Sequence, residues 1–173
     1  MTGMETHYDK VLANELLQMA EVDQAMRRKA IEDDTHWDAS VDETNTARLA
    51  AIIEREGWPT IPKVGEDASH AAWLLIQHAP SLDFMKSCLQ KMKDAPNGAV
   101  RLSDIAFLED RILTLDGKPQ IYGTQFQTIG KEMKAYPMEN PDEVNSRRAS
   151  VGLGTFEENK ARLSELYHKP ITN

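Results

Sequence analysis

His70, Gln77 and His78 lie in Gly65-Glu66-Asp67-Ala68-Ser69-His70-Ala71-Ala72-Trp73-Leu74-Leu75-Ile76-Gln77-His78-Ala79, a stretch that is otherwise almost wholly apolar after Ser69. An imidazole can take up or release a proton near neutral pH, and a carboxamide beside it can hold a polar substrate. On a helix, His70, Trp73, Leu74, Gln77 and His78 share an arc of about 140°, while Ala71, Ala72, Leu75 and Ile76 fill the rest. That pattern predicts a buried central helix with one wet or ligand-facing stripe. The competing reading makes both histidines core residues bonded to backbone or to a carboxylate, since burial of a polar group costs free energy without a partner. Eight residues of helix separate their backbones by about 12 Å. They are therefore not the close pair of a helical zinc site, and no metal is expected.

A second polar set is Glu109-Asp110-Arg111, between Leu108 and Ile112. Asp110 could orient a histidine, as carboxylates commonly do, or could pair with an arginine. The third set is Gln120-Ile121-Tyr122-Gly123-Thr124-Gln125. If extended, it points Gln120, Tyr122 and Thr124 one way and Ile121 and Gln125 the other. Such amides and hydroxyls suit a polar ligand; they equally suit a wet edge strand. Arg147 and Arg148 follow Asp142-Glu143-Val144-Asn145-Ser146, and one of them could clamp a carboxylate or phosphate. Arg48 is a further candidate. Asp23, Gln24 and Arg27 interrupt an apolar helix face, with Asp23 and Arg27 at ion-pair spacing.

The common catalytic and nucleotide-binding motifs do not occur: there is no phosphate loop, GxGxxG, HExxH, CxxC or GxSxG. No cofactor is expected, and redox chemistry would need one. A formal charge of −8 disfavours binding to duplex nucleic acid, where affinity rests on basic side chains. No apolar run approaches the roughly 20 residues of a membrane span. Without a signal pattern at Met1-Thr2-Gly3-Met4, the expected location is the cytoplasm. Cys88 stands alone in the apolar phase of a helix, so it reads as core filler.

The elements that must carry these groups are mostly helices. Leu12, Leu16, Met19, Val22 and Met26 predict a long first helix over 8–33, with 33–40 as a loop. Asp42 or Thr44 is the expected cap of a second, through Leu49, Ile52 and Ile53 to Gly57. Trp58-Pro59-Thr60-Ile61-Pro62 must turn the chain. The histidine helix runs from about Glu66 to before Pro80; Ser81 caps a fourth carrying Leu82, Met85, Cys88, Leu89 and Met92. Ser103 is the expected cap of a fifth, with Ile105, Leu108, Ile112 and Leu115 inward. A short hairpin or extended arm is expected near 120–138. Asn140-Pro141-Asp142-Glu143 opens the next helix, and Thr155-Phe156-Glu157-Glu158 forms a capping box for the last. The prediction is a mainly α, compact single domain, 1–173, of about six to seven helices.

Several words of this chain, in order, resemble an uncharacterised bacterial domain family of unknown function. They are Asn45-Thr46-Ala47-Arg48-Leu49, Gly57-Trp58-Pro59-Thr60, Val64-Gly65-Glu66-Asp67 leading into His70 to Ala79, Pro119-Gln120-Ile121-Tyr122-Gly123-Thr124-Gln125-Phe126, and Arg147-Arg148 before Val151-Gly152-Leu153. The resemblance covers roughly 19–166. It implies a mostly helical domain with a short extended segment, and brings no activity or catalytic residue with it.

Two functions follow as expectations. The first is a small cofactor-independent enzyme acting on a polar small molecule or peptide by hydrolysis or rearrangement. In it His70 or His78 transfers the proton, and Trp73, Gln77, Gln120, Tyr122, Thr124, Gln125, Arg48, Asp110, Arg111 and Arg147 supply substrate contacts. The second is a binding protein of accessory or immunity type that meets a protein partner through its acidic surface.

Overall fold

Asp9 accepts a hydrogen bond from the Leu12 backbone N–H at 2.9 Å and so starts α1 (Lys10–Glu32). The structure, a computed structural model of the chain, describes residues 7–167 and 171–172. It is mainly α, with eight α-helices and a short sheet among the described residues. The chain divides into two compact units, Met1–Arg101 and Leu102–Asn173.

In the first unit, α1 is followed by a 3-10 turn at Asp34–His36 and by α2 (Ala39–Glu56). Asp38, not Asp42 or Thr44, caps α2, accepting from the Ser40 N–H at 3.0 Å. The helix thus begins inside the stretch expected to be loop. Pro62, near the start of a helix where its missing N–H is no loss, turns the expected break into one helical turn, α3 (Ile61–Val64). This is the helix the sequence did not foretell. Then come α4 (Glu66–Gln77) and α5 (Leu82–Lys93), the latter capped by Ser81 as expected.

Helix α4 is central to this unit and touches α1, α2, α3 and α5. Ala68, Ala71 and Ala72 are all buried, and their small side chains let neighbouring backbones approach. Leu75 and Ile76 join Leu16, Leu49, Ile52, Met85, Cys88 and Met92 in the core. Each large aliphatic side chain so buried is worth about 1.5–3 kcal/mol. On α1 the buried stripe is Leu12, Leu16, Ala20, Asp23 and Met26, whereas Val22 is exposed. Helical phase, set by the larger residues, carries Asp23 inward in place of the valine beside it.

The second unit starts with α6 (Leu102–Leu115), which includes Ser103 instead of being capped by it. Its buried face holds Asp104, Ala106, Leu108, Asp110 and Ile112, and Leu115 is exposed. Strands β1 (Phe126–Ile129) and β2 (Glu132–Ala135) pair antiparallel across a two-residue Gly130-Lys131 turn, with Ile129 opposite Glu132. Strand β3 (Ile171–Thr172) adds in parallel to β2. Between hairpin and C-terminus, a 3-10 turn at Pro141–Glu143 leads into α7 (Val144–Ser150), and α8 follows (Phe156–Tyr167). The predicted capping box of α8 is formed: Thr155 N donates to Glu158 Oε2 at 2.7 Å, and Glu158 N donates to Thr155 Oγ1 at 3.2 Å.

Candidate functional site

Asp23 is 1% exposed, so its carboxylate needs partners inside the protein. It has three. His78 Nδ1 lies 3.0 Å from Oδ1, Gln24 Nε2 donates to Oδ2 at 2.7 Å, and Arg27 Nε lies 3.3 Å from both oxygens. Burial works to raise the carboxyl's pKa, but the hydrogen bond and charge of His78, then Gln24 and Arg27, outweigh it and hold the group below its ordinary value.

His78 is not on the helix. It caps α4 with φ −102° and ψ 0°, and its N–H donates to Leu75 O at 3.2 Å. Leaving the helix there turns the ring toward α1. An ionised carboxylate can only accept, so in the neutral ring Nδ1 carries the hydrogen and Nε2 is left as the basic nitrogen. The His78 side chain is 19% exposed. The pair therefore has the parts of a general base: a buried acid fixes tautomer and orientation, and the ring reaches solvent.

Arg27 extends the network to α2, donating through Nη2 to Asp42 Oδ1 at 2.6 Å, and its guanidinium sits 4.9 Å from the centre of the Trp37 ring. Asp23, Asp42 and His78 each offer one ligand atom, all within 4.8 Å of one another. That trio has the chemistry to hold a cation. Arg27 already bonds both carboxylates, however, and its fixed positive charge opposes a divalent ion in the same place. The cluster is best described as an ion-pair network tying α1, α2 and α4.

The other first-unit candidates have different surroundings. His70 stacks on Trp73, ring centres 4.6 Å apart and planes at 23°. Gln77 is buried. Arg48 grips Glu15 through Nε at 2.5 Å and Nη2 at 3.0 Å, an exposed bidentate pair between α2 and α1. Salt screens such a pair, and it adds little stability.

In the second unit, the partners of Asp110 among the described residues are backbone amides and a hydroxyl, with no histidine among them. Fully buried, Asp110 accepts from the backbone N–H groups of Ile121, Tyr122 and Thr124 at 2.7 to 3.1 Å and from the Thr124 hydroxyl at 2.9 Å. The chain at 121–125 bends around this carboxylate, so the strand-like alternation expected there is not formed. Gln120, also fully buried, donates through Nε2 to the carbonyls of Gln125 and Tyr136 and accepts from Gln125 N at 2.8 Å. Arg147 donates to the carbonyls of Ile121, Glu139 and Asn140. Gln125 Nε2 donates to Thr124 Oγ1 at 3.1 Å.

Gly123 has φ +65°, and a Cβ there would sit 2.8 Å from Met138 Sδ and 2.9 Å from Phe156 Cδ2. These polar side chains thus hold loop backbone, a use their residue types could not reveal. Tyr122 remains half-buried, its phenol pKa raised by burial and by nearby Glu109 and Asp110. A cavity of about 350 Å³ beside this loop is lined by Thr124 and Gln125 with Phe126, Met133, Leu163 and Tyr167. Arg111 lies on α6 between Asp110 and Ile112, half-buried.

The sequence reading missed Asp23 as the acid behind His78. Its signal was the phase of α1, which puts a carboxylate among buried aliphatic positions. Asp42, one turn into α2, reads in the sequence as a helix cap, and nothing local points to its pairing with Arg27.

The model of a family of unknown function, DUF6624, matches residues 10–171, and the chain belongs to that family. No curated protein and no solved structure matches the chain. No described helix is long and apolar enough to cross a membrane.

Proposed function

We propose that the protein is a cofactor-independent enzyme in which His78 moves a proton for a polar small molecule or peptide, by hydrolysis or rearrangement. The observation that carries this reading is the 3.0 Å contact between buried Asp23 and Nδ1 of a partly exposed imidazole. Nε2 takes a proton from water or substrate, and Asp23 stabilises the imidazolium so formed without accepting the proton itself. His70, stacked on Trp73, is the weaker candidate. Arg27, over the Trp37 ring, shares the Asp23 carboxylate with His78 and brings a positive charge to the same cluster. A lone buried cysteine fits a reducing, cytoplasmic setting.

The test is untargeted metabolite profiling of a lysate pool incubated with wild type, His78→Ala or His78→Gln. A compound consumed by wild type, and about 10²–10⁴-fold more slowly by both folded variants, supports the assignment. Equal consumption by all three overturns it.

The second reading, a partner-binding protein, draws on the charge of −8 and on exposed Val11 and Val22, which helical periodicity puts on one face of α1. It predicts association that weakens with salt and survives loss of His78.

A further inference from the structure

Asn159 on α8 is 7% exposed, and its Nδ2 has no acceptor among the described residues. Its orientation is fixed, because Oδ1 accepts from Arg162 Nη2 at 3.1 Å, so turning the amide over would set two donors against each other. An unmet buried donor is destabilising, and its persistence calls for an acceptor. Asn159 lines a cavity of about 320 Å³ whose wall also includes Arg148, Arg162, Phe107, Leu153 and Glu158.

Arg148 is 2% exposed. Nε donates to Gly154 O at 2.6 Å and Nη1 to Tyr122 O at 2.8 Å, which leaves Nη2 without an acceptor among the described residues. Two guanidiniums and one amide N–H therefore meet at a single cavity, and Phe107 and Leu153 give it apolar wall. Glu158 is the one acid in the lining, and its Oε2 is engaged by the Thr155 N–H at 2.7 Å in the capping box.

We propose that this cavity binds a small organic carboxylate, its oxygens accepting from Asn159 Nδ2 and the two arginines and its apolar part lying against Phe107 and Leu153. The shape of the donor set argues for a carboxylate. Guanidinium and side-chain amide N–H groups from three residues converge on one acceptor group, and the apolar wall would be wasted on an inorganic ion. Burial and then the neighbouring Arg162 push the Arg148 guanidinium pKa down against the opposing charges of Asp110, Glu157 and Glu158, and an anion in the cavity would offset the repulsion from Arg162. The site lies wholly in the second unit and stands independently of His78.

The test follows the side-chain N–H signals of Asn159 and the arginines by 15N NMR of the full chain during titration with sodium benzoate, benzamide and inorganic phosphate. Benzoate should shift the Asn159 amide saturably and benzamide should not. Asn159→Leu and Arg162→Gln should each weaken benzoate at least tenfold, and because Arg162 is exposed, the second variant keeps the test alive should the first fail to fold. Overturning results are no saturable shift with benzoate, equal binding of benzamide, tighter binding of phosphate than of benzoate, or undiminished benzoate affinity in Arg162→Gln.

Discussion

Asp23 Oδ1 and His78 Nδ1 meet at 3.0 Å although 55 residues separate them in the chain. The contact joins a residue from the middle of one helix to the cap of another. Breaking it by Asp23→Asn keeps the side chain's shape but replaces an acceptor oxygen with a donor facing Arg27 or His78. The expected loss is about 3–5 kcal/mol, as for removing one partner of a buried ion pair. Urea unfolding measures it. A loss below about 1 kcal/mol would mean that the network contributes nothing beyond a surface pair.

The same carboxylate predicts a pH dependence. Its native pKa lies below the ordinary 3.8, so the unfolded state binds a proton first as the solution is acidified. Its contribution to stability is present above the unfolded value and is lost as pH falls through the native one. The stability gap between wild type and Asp23→Asn should therefore be widest near neutrality and shrink below about pH 4. Urea midpoints at a series of pH values give the curve; a gap that stays constant into acid would contradict the assignment.

Asp110 holds the amides of Ile121, Tyr122 and Thr124. Asp110→Asn retains one acceptor oxygen and adds an NH₂ among N–H donors. It should cost about 2–4 kcal/mol, from at least one donor left unmet inside the protein. Hydrogen exchange offers the sharper readout: the three amides should lose protection while those in the middle of α6 keep theirs. Uniform change across the unit would show that the residue supports the fold generally and not this loop.

Cys88 is fully buried, and burial pushes its thiol up to about 12. Only the thiolate reacts with alkylating agents, so iodoacetamide at about pH 8 should leave the native protein unmodified and label it once unfolded. Native labelling at the rate of a free thiol would place Cys88 at the surface.

Some helix ends were legible in the residues, because capping is local chemistry, although Asp38 rather than Asp42 or Thr44 caps α2 and Ser103 lies inside α6. Ser81, the Thr155/Glu158 pair and Gly57 do what their types suggest. Single positions were less so. Three- and four-residue spacing puts Val22 and Leu115 on the apolar faces of their helices, yet both are exposed, while Asp23 and Asp110 on the same helices are buried. A carboxylate enters the core only when distant groups meet it, and those partners lie far along the chain. For that reason the histidines could be singled out, while the acid behind His78 could not. Likewise, segment 120–125 looked like a strand because its partner, a side chain on α6, lies outside any local window.

The wrap of that segment around Asp110 also bears on the order in which the chain assembles. Hairpin 126–135 can close from adjacent residues alone. Ile121, Tyr122 and Thr124 instead have amides that must stay with water until α6 has formed and brought its carboxylate to them. Ordering of the loop is thus a late event waiting on a helix, and replacing Asp110 should mainly speed unfolding, with little effect on the folding rate.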